Sequence, residues 1–115
     1  MKSLRSKTKN QELVPRLEEA SKMWARMKGL LGTHELLEGS ALWIHRCNSI
    51  HTFFMNYAID CVFLNKEMKV VSLVENIHPW RLVLPKIQAD SVVELPDGQI
   101  AQLKIPIGEE MYVGH

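Results

Sequence analysis

The segment from Cys47 to Asp60 carries the densest set of reactive side chains in the sequence. It includes a thiol at Cys47, an imidazole at His51, a thioether at Met55 and a carboxylate at Asp60. These groups are compatible with three kinds of site: a metal centre, a nucleophilic catalytic centre, or a cleft that binds a ligand without covalent chemistry. The spacing of the residues decides how well each kind of site fits.

Cys47, His51 and Met55 are spaced four residues apart and form a soft ligand set that suits copper. Residues eight positions apart are separated by about 12 Å along a helix axis and by more than about 25 Å along a strand. One ion therefore cannot contact both Cys47 and Met55. Cys47 and His51 could share an ion only in a helical segment, with a further ligand such as His45 or His78. We expect no metal site and no cofactor.

A nucleophilic centre would use Cys47 as the nucleophile, His51 as its base and Asp60 as the acid that orients the imidazole. The thiolate is the reactive form of cysteine, so a neighbouring cationic imidazole would favour it. The pattern is weak, because most Cys and His residues this close in sequence have no such role. A Cys- and His-dependent, hydrolase-like enzyme is therefore an alternative, and the sequence leaves open whether the protein is an enzyme.

Of these three kinds of site, a non-covalent cleft for a small polar or anionic ligand fits the residue types best. A structural or protein-interaction role without any small-molecule site stays open beside it, and residue types of this kind fit that role more often. Arg81 would pair with an anionic group, and Trp80 would offer a stacking surface. The residues expected to line this cleft are His51, Thr52, Asn56, Asp60, Trp80 and Arg81. Our first hypothesis is a small ligand-binding or accessory domain. A further alternative is a protein-interaction scaffold that presents Trp80 on a loop over residues 76–90.

Two acidic residues lie within apolar runs that predict strands, Asp60 and Glu94. A carboxylate entering an apolar core must be paired or hydrogen-bonded. The expected partner of Asp60 is His51, Arg26 or Arg46. Such acids either mark a functional site or anchor loops, and both interpretations stay open at this point.

The composition is that of one ordinary globular domain, with 115 residues of which 46% are hydrophobic and 23% charged. Its 14 Lys and Arg residues nearly balance its 13 Asp and Glu residues, whereas nucleic-acid-binding modules normally carry a strong basic excess. We therefore expect no nucleic-acid partner. The basic residues near the N-terminus assign residues 1–10 to a flexible basic leader, and residues 11–115 to a single β-rich domain.

No stretch of the sequence approaches the ~20 apolar residues that span a bilayer. The N-terminus also lacks the apolar core of a signal peptide. We therefore expect a cytoplasmic protein without a membrane partner. Cys47 and Cys61 are too few for a disulfide framework, and in the cytoplasm both would be thiols.

Short apolar runs bounded by turn residues predict strands over residues 11–19, 41–45, 59–64, 70–74, 91–95 and 110–113. The first of these contains Pro15, so we expect it at a sheet edge. Ser21 is the expected N-cap of a helix over residues 22–31. A hairpin connection over 65–69 and a helical turn over 99–103 complete the pattern. It predicts a mainly β fold: a small antiparallel β-sandwich or barrel-like domain with one short N-terminal helix.

Four stretches, taken in order, form a specific combination: Arg26-Met27-Lys28-Gly29-Leu30-Leu31-Gly32, Ile50-His51-Thr52-Phe53-Phe54-Met55 continuing to Ile59-Asp60-Cys61-Val62-Phe63, Val92-Val93-Glu94-Leu95-Pro96-Asp97-Gly98, and Ile105-Pro106-Ile107-Gly108-Glu109. In this order they resemble the uncharacterised family called domain of unknown function 192. The resemblance implies a mainly β, sandwich-like domain with one short helix. It implies no established activity, substrate or cofactor. The chain departs from the family pattern at residues 65–68, which lack an Asp-Gly turn, and at Glu109-Glu110, which replace Gly-Asp.

Overall fold

A computed structural model describes residues 2–21, 23, 36–53 and 55–115 of the chain. The helix expected over residues 22–31 lies outside the described residues, apart from Met23. Arg26, one of the expected partners of Asp60, lies outside them as well.

The described residues form nine strands and one short helix. The strands are β1 Lys2–Ser6, β2 Gln11–Ser21, β3 Ser40–His45, β4 Ile50–His51, β5 Ile59–Leu64, β6 Val70–Ile77, β7 Leu82–Val83, β8 Ser91–Pro96 and β9 Met111–Gly114, and the helix is α1 Gln99–Leu103. The mainly β class is therefore confirmed, as is the helical turn expected over residues 99–103. In this part of the chain, no helix is long and apolar enough to cross a membrane.

Seven strands form one sheet in the order β6-β5-β8-β3-β2-β1-β9, and β4 and β7 form a separate two-stranded ribbon. The sheet is mixed, because β2 and β3 are parallel whereas its other pairs are antiparallel. The expectation of an antiparallel sheet is corrected at this pair. A parallel pair needs a long crossover connection, and the segment over residues 22–39, between β2 and β3, has enough residues for one.

The two edge strands of the sheet, β6 and β9, approach each other at one end only. Among the described residues they are joined by a single antiparallel bridge between Lys69 and Glu110. The backbone N–H of Val70 also donates to the carbonyl oxygen of Glu109 there (2.9 Å). No continuous ladder joins β6 and β9 over the described residues, so the sheet is open.

β5 lies between β6 and β8, and all six of its residues are buried. Successive side chains of a strand point to opposite faces. Val62 and Leu64 therefore pack in one apolar cluster together with Val93. Cys61 and Phe63 pack in a second cluster on the other face. The sheet thus buries apolar side chains on both faces.

The structure corrects the expectation of a flexible leader over residues 1–10. β1 pairs with β2 on one side and with β9 on the other. Leu4 and Ser6 are buried, whereas Arg5 between them forms an ion pair with Glu12 (3.2 Å). The strand is only five residues long and its charged residues mask the alternation, which is why the segment resembles a disordered terminus.

The structure also corrects the expected edge position of the strand that contains Pro15. β2 is an interior strand, between β1 and β3. The register with β1 shifts between Val14 and Leu17, and the ladder with β3 begins at Arg16. Pro15 therefore lies at an irregularity in the pairing, where a missing N–H group is tolerated.

The fully buried carboxylate of Asp60 connects three elements of the fold. Its Oδ1 accepts the backbone N–H of Asn76 in β6, and its Oδ2 accepts the backbone N–H of Ile100 in α1, both at 2.9 Å. The first turn of a helix has free N–H groups, and the N-cap residue Gly98 makes no side-chain cap. Asp60, which lies in β5, supplies the hydrogen-bond acceptor for this first turn instead. Its partners are thus backbone groups rather than His51 or Arg46, and it acts as a structural anchor.

We predict that Asp60→Asn lowers the free energy of unfolding by about 2–4 kcal/mol. An amide has one oxygen, so at least one of the two buried N–H groups loses its acceptor. Urea unfolding measures the change as a lower midpoint with an unchanged slope. Asp97→Asn is the matched control, because Asp97 is exposed and accepts its hydrogen bond from the Asn76 side chain. Equal losses in the two variants would contradict the anchoring role.

Candidate functional site

The β4–β7 ribbon positions most of the residues that the sequence analysis selected. Ile50 pairs with Val83 and His51 pairs with Leu82. Ile50 and Val83 are buried in the second apolar cluster. Directly opposed residues of an antiparallel pair share a face, so His51 and Leu82 lie on the other face of the ribbon. The ribbon therefore has one face on the core and one face outward.

Thr52 follows β4 directly and fixes the turn that precedes β7. Its hydroxyl donates to the carbonyl oxygen of His78 (2.6 Å) and accepts the backbone N–H of Arg81 (2.9 Å). The backbone N–H of Thr52 donates to the carbonyl oxygen of Arg81 (2.9 Å), and its carbonyl oxygen accepts the N–H of Trp80 (3.0 Å). Four hydrogen bonds from one fully buried residue therefore hold residues 78–81 against β4.

Three aromatic rings stack in series beside this turn. The ring centroids of His51 and Phe53 are 4.8 Å apart with an interplanar angle of 27°. Those of Phe53 and Trp80 are 5.8 Å apart with an angle of 25°. Trp80 has a left-handed backbone conformation (φ 64°), which the hydrogen bonds of Thr52 hold in place. The stack is a consequence of how Thr52 fixes the turn.

The outward surface of the ribbon and its loops carries several large apolar side chains. The exposed fraction is 37% for Phe53, 57% for Trp80, 62% for Leu82, 68% for Leu84 and 95% for Ile87. Val83 between the two leucines is buried, so both leucines point away from the core. We call the surface formed by these five exposed residues the apolar face. Phe53 and Trp80 adjoin in this surface, and exposed large apolar side chains that adjoin mark interaction sites in many proteins.

The six residues expected to line a polar cleft divide into two groups. Thr52 and Asp60 are fully buried, and their side-chain oxygens are bonded to backbone groups. They position other elements and have no access to a ligand. Asn56, Trp80 and Arg81 are exposed and His51 is half-buried, so these four remain accessible.

The geometry does not assemble the nucleophilic centre from Cys47, His51 and Asp60. The Cys47 side chain is buried in the second apolar cluster, and its thiol donates to the carbonyl oxygen of Ser49 (2.9 Å). Asp60 is bonded to the backbone on both of its oxygens. The other thiol, Cys61, is buried, and burial raises its pKa well above the ordinary value, with the nearby Glu94 carboxyl adding to the effect. A reactive cysteine needs an accessible, electropositive environment, and neither Cys47 nor Cys61 has one.

Glu94 differs from Asp60, although the sequence places both in apolar strands. In the pairing of β5 with β8, Asp60 lies opposite Leu95 and Glu94 lies opposite Cys61. The two acids therefore point to opposite faces of the sheet. The Glu94 side chain is buried, and its carboxyl lies close to the Cys61 thiol. Burial raises the pKa of the Glu94 carboxyl to about 7, so this carboxyl carries a proton over much of the neutral range.

We predict that Glu94→Gln stabilises the protein increasingly as the pH rises. The folded-state pKa is above the unfolded one, so stability is greatest at low pH and falls as the pH rises from about 4.5 to about 7. Glutamine carries no ionisable group and avoids this loss. The free-energy advantage of the variant should grow by about 2–3 kcal/mol between about pH 5 and about pH 8. Urea unfolding at the two pH values measures it.

Glu75→Gln serves as the control for this change, because Glu75 is exposed at the end of the same sheet. Its effect on stability should be small and nearly the same at both pH values. An advantage of Glu94→Gln that does not depend on pH would contradict the protonation of Glu94.

A concave surface lies between the β5–β6 hairpin and β9, with a volume of about 660 Å³. Trp43, Met68, Met111 and Val113 supply its apolar part. The polar residues that line it are Lys7, Asn10, Lys66, Glu67, Glu110 and Tyr112. The sequence analysis did not select any of these residues, because they come from five separate stretches of chain. No local motif connects them before the fold is known.

Over the described ranges, no three His, Cys, Asp or Glu side chains are grouped so that they could hold a metal ion. His45, which the sequence offered as a further ligand, instead bonds through Nε2 to Glu19 (2.9 Å).

The seven-stranded sheet, the short helix α1 and the β4–β7 ribbon together define a small mixed-sheet β domain with an outward aromatic surface. Comparison with known proteins identifies the family to which this domain belongs.

The model of the family DUF192, described as "Uncharacterized ACR", matches residues 4–113. A UPF0127 protein from Thermococcus sibiricus is 35% identical over 110 residues, which cover 92% of this chain and 71% of the relative. A UPF0127 protein from Pyrococcus furiosus is 41% identical over 63 residues. That match covers 55% of this chain and 53% of the relative, so it spans only about half of each. The chain belongs to the DUF192 family, as the resemblance of its four motifs implied.

A solved structure has the same fold: a protein of unknown function from Novosphingobium aromaticivorans, with a TM-score of 0.77. The two chains are 20% identical, and the match covers 96% of this chain and 82% of that one. At this identity the likeness concerns the fold alone.

Proposed function

We propose that this chain is a non-covalent binding domain and that the apolar face is its binding surface. The observation that supports this best is the stack of His51, Phe53 and Trp80, which places aromatic surface in solvent and holds it there. A tryptophan ring in a fixed position binds with little loss of conformational entropy. The cytoplasm is the compartment that we propose for this activity, where Cys47 and Cys61 stay as the buried thiols of the structure.

The charge around the apolar face indicates the chemistry of the ligand. Arg81 is exposed and follows Trp80 directly, and Lys86 lies between the exposed Leu84 and Ile87. A ligand that combines an apolar or aromatic group with an anionic group would contact both kinds of side chain. This proposal keeps Trp80 and Arg81 in the roles that the sequence suggested for them. Thr52 and Asp60 no longer contact the ligand in this proposal. They hold the backbone segments to which they are hydrogen-bonded.

Catalysis is the weaker alternative. A buried Cys47 thiol that donates to the backbone gives a substrate no approach, and Asp60 is unavailable to orient His51. A scaffold that presents Trp80 to another protein is the nearer alternative, because it uses the same surface. The chemistry of the bound molecule separates the two binding roles.

We predict that the native protein binds anilinonaphthalene sulfonate, an aromatic anion, with a rise in dye fluorescence. Trp80→Ala should weaken this binding by about tenfold, because it removes the ring on which the dye stacks. Titration of the dye at neutral pH measures the affinity, and cooperative urea unfolding of each variant verifies that it is folded.

Ile107→Ala is the matched control, since Ile107 is a large apolar residue that is also exposed but lies in the turn before β9. It should bind the dye with the affinity of the unmodified protein. Absence of dye binding by the folded protein, or equal affinity of the Trp80→Ala variant, would refute the apolar face as a binding surface.

A further inference from the structure

We infer that the apolar face binds the surface of an anionic lipid bilayer. This inference rests on the proposed function, because it names the partner of the same face. It departs from the expectation, drawn from the sequence, that the protein has no membrane partner. That expectation considered only spanning segments and signal peptides, whereas the structure brings together apolar residues that are separated along the chain.

The apolar side chains of the face project outward. Leu82, Leu84 and Ile87 are between 62% and 95% exposed, so most of each side chain stands clear of the protein. A protein partner would need a separate, well-shaped pocket for each of these side chains. A bilayer accepts projecting apolar groups in any arrangement, because lipid chains rearrange around them. The projecting geometry therefore favours a bilayer over a protein.

Charge is distributed unevenly between this part of the chain and the rest. Residues 76–89, which carry most of the apolar face, contain Arg81 between Trp80 and Leu82, contain Lys86 between Leu84 and Ile87, and contain no Asp or Glu. Acidic residues come close at one end, where Ile87 lines a concave surface together with Glu67 and Asp90. The whole chain has 14 basic and 13 acidic residues, a net charge of +1. Residues 76–89 therefore carry +2, and the remainder of the chain carries −1. Basic residues beside apolar ones are the combination that binds membranes with anionic headgroups.

Trp80 and Phe53 fit the boundary between headgroups and lipid chains. Tryptophan is enriched at this boundary because its ring is apolar and its N–H group is polar. The hydrogen bonds from Thr52 hold the turn at residues 78–81 in place before any contact is made. The surface needs little ordering on binding, which favours affinity.

Vesicle flotation tests the inference, with vesicles of phosphatidylcholine alone and vesicles of equimolar phosphatidylcholine and phosphatidylglycerol. We expect the protein to float with the anionic vesicles and to remain behind with the neutral ones. Salt should weaken the binding, because it screens Arg81 and Lys86. The tryptophan emission should also shift to shorter wavelength on binding, as the Trp80 ring leaves water.

Leu84→Glu combined with Ile87→Glu should reduce binding to anionic vesicles by at least about tenfold, because it places carboxylates where lipid contact is expected. Ile87→Glu alone, at the most exposed position of the face, gives a second variant with minimal risk to folding. Ile107→Glu is the matched control and should bind as the unmodified protein does. Equal vesicle binding by the double variant and this control would overturn the inference.

Dye binding separates failure of this inference from failure of the proposed function. If the protein binds anilinonaphthalene sulfonate through Trp80 but no anionic vesicles, the bilayer is overturned as the partner and a protein partner takes its place. If the protein binds neither the dye nor the vesicles, the apolar face has no binding role and both proposals are overturned.

Discussion

The hydrogen bonds between Thr52 and residues 78–81 are the interaction on which the exposed surface of this domain depends. A single buried residue contributes its hydroxyl, its N–H group and its carbonyl oxygen to the same turn. This turn places Trp80 against Phe53 and directs Leu82 outward beside His51. Buried polar groups that are fully bonded fix one arrangement of the backbone. The apolar face is therefore preformed.

Asp60 has a comparable role inside the fold, and the contrast with Glu94 explains why the sequence could not separate them. Both acids lie in runs of strand-forming apolar residues, so burial was predictable for each. Their partners depend on the register of β5 and β8, which places Asp60 and Glu94 on opposite faces. One face offers the N–H groups of Asn76 and Ile100, and the other offers apolar side chains and the Cys61 thiol. A shift of one residue would exchange their roles.

Elements with a strong local pattern were predictable, and elements determined by distant pairing were not. β5 was predicted to the residue, because Ile59–Leu64 is apolar apart from Asp60 and is bounded by turns. β1 was missed because its charged residues hide a short alternation of buried and exposed positions. Its pairing with β9, which is distant in sequence, was also not predictable. Pro15 indicated an edge strand, whereas an irregular register lets it lie in the interior. The apolar face was missed as a surface, because exposed leucines and core leucines are alike in a sequence.

We propose that residues 51–53 and 80–87 form the surface that contacts a partner. Backbone amide chemical shifts, measured while bicelles containing phosphatidylglycerol are added, identify this surface because they report on nearly all residues in one experiment. We expect the largest changes at Phe53, Trp80, Leu82, Leu84 and Ile87, with little change at Ile107. Changes concentrated instead around Trp43, Met68 and Tyr112, in the cleft beside β9, would contradict it.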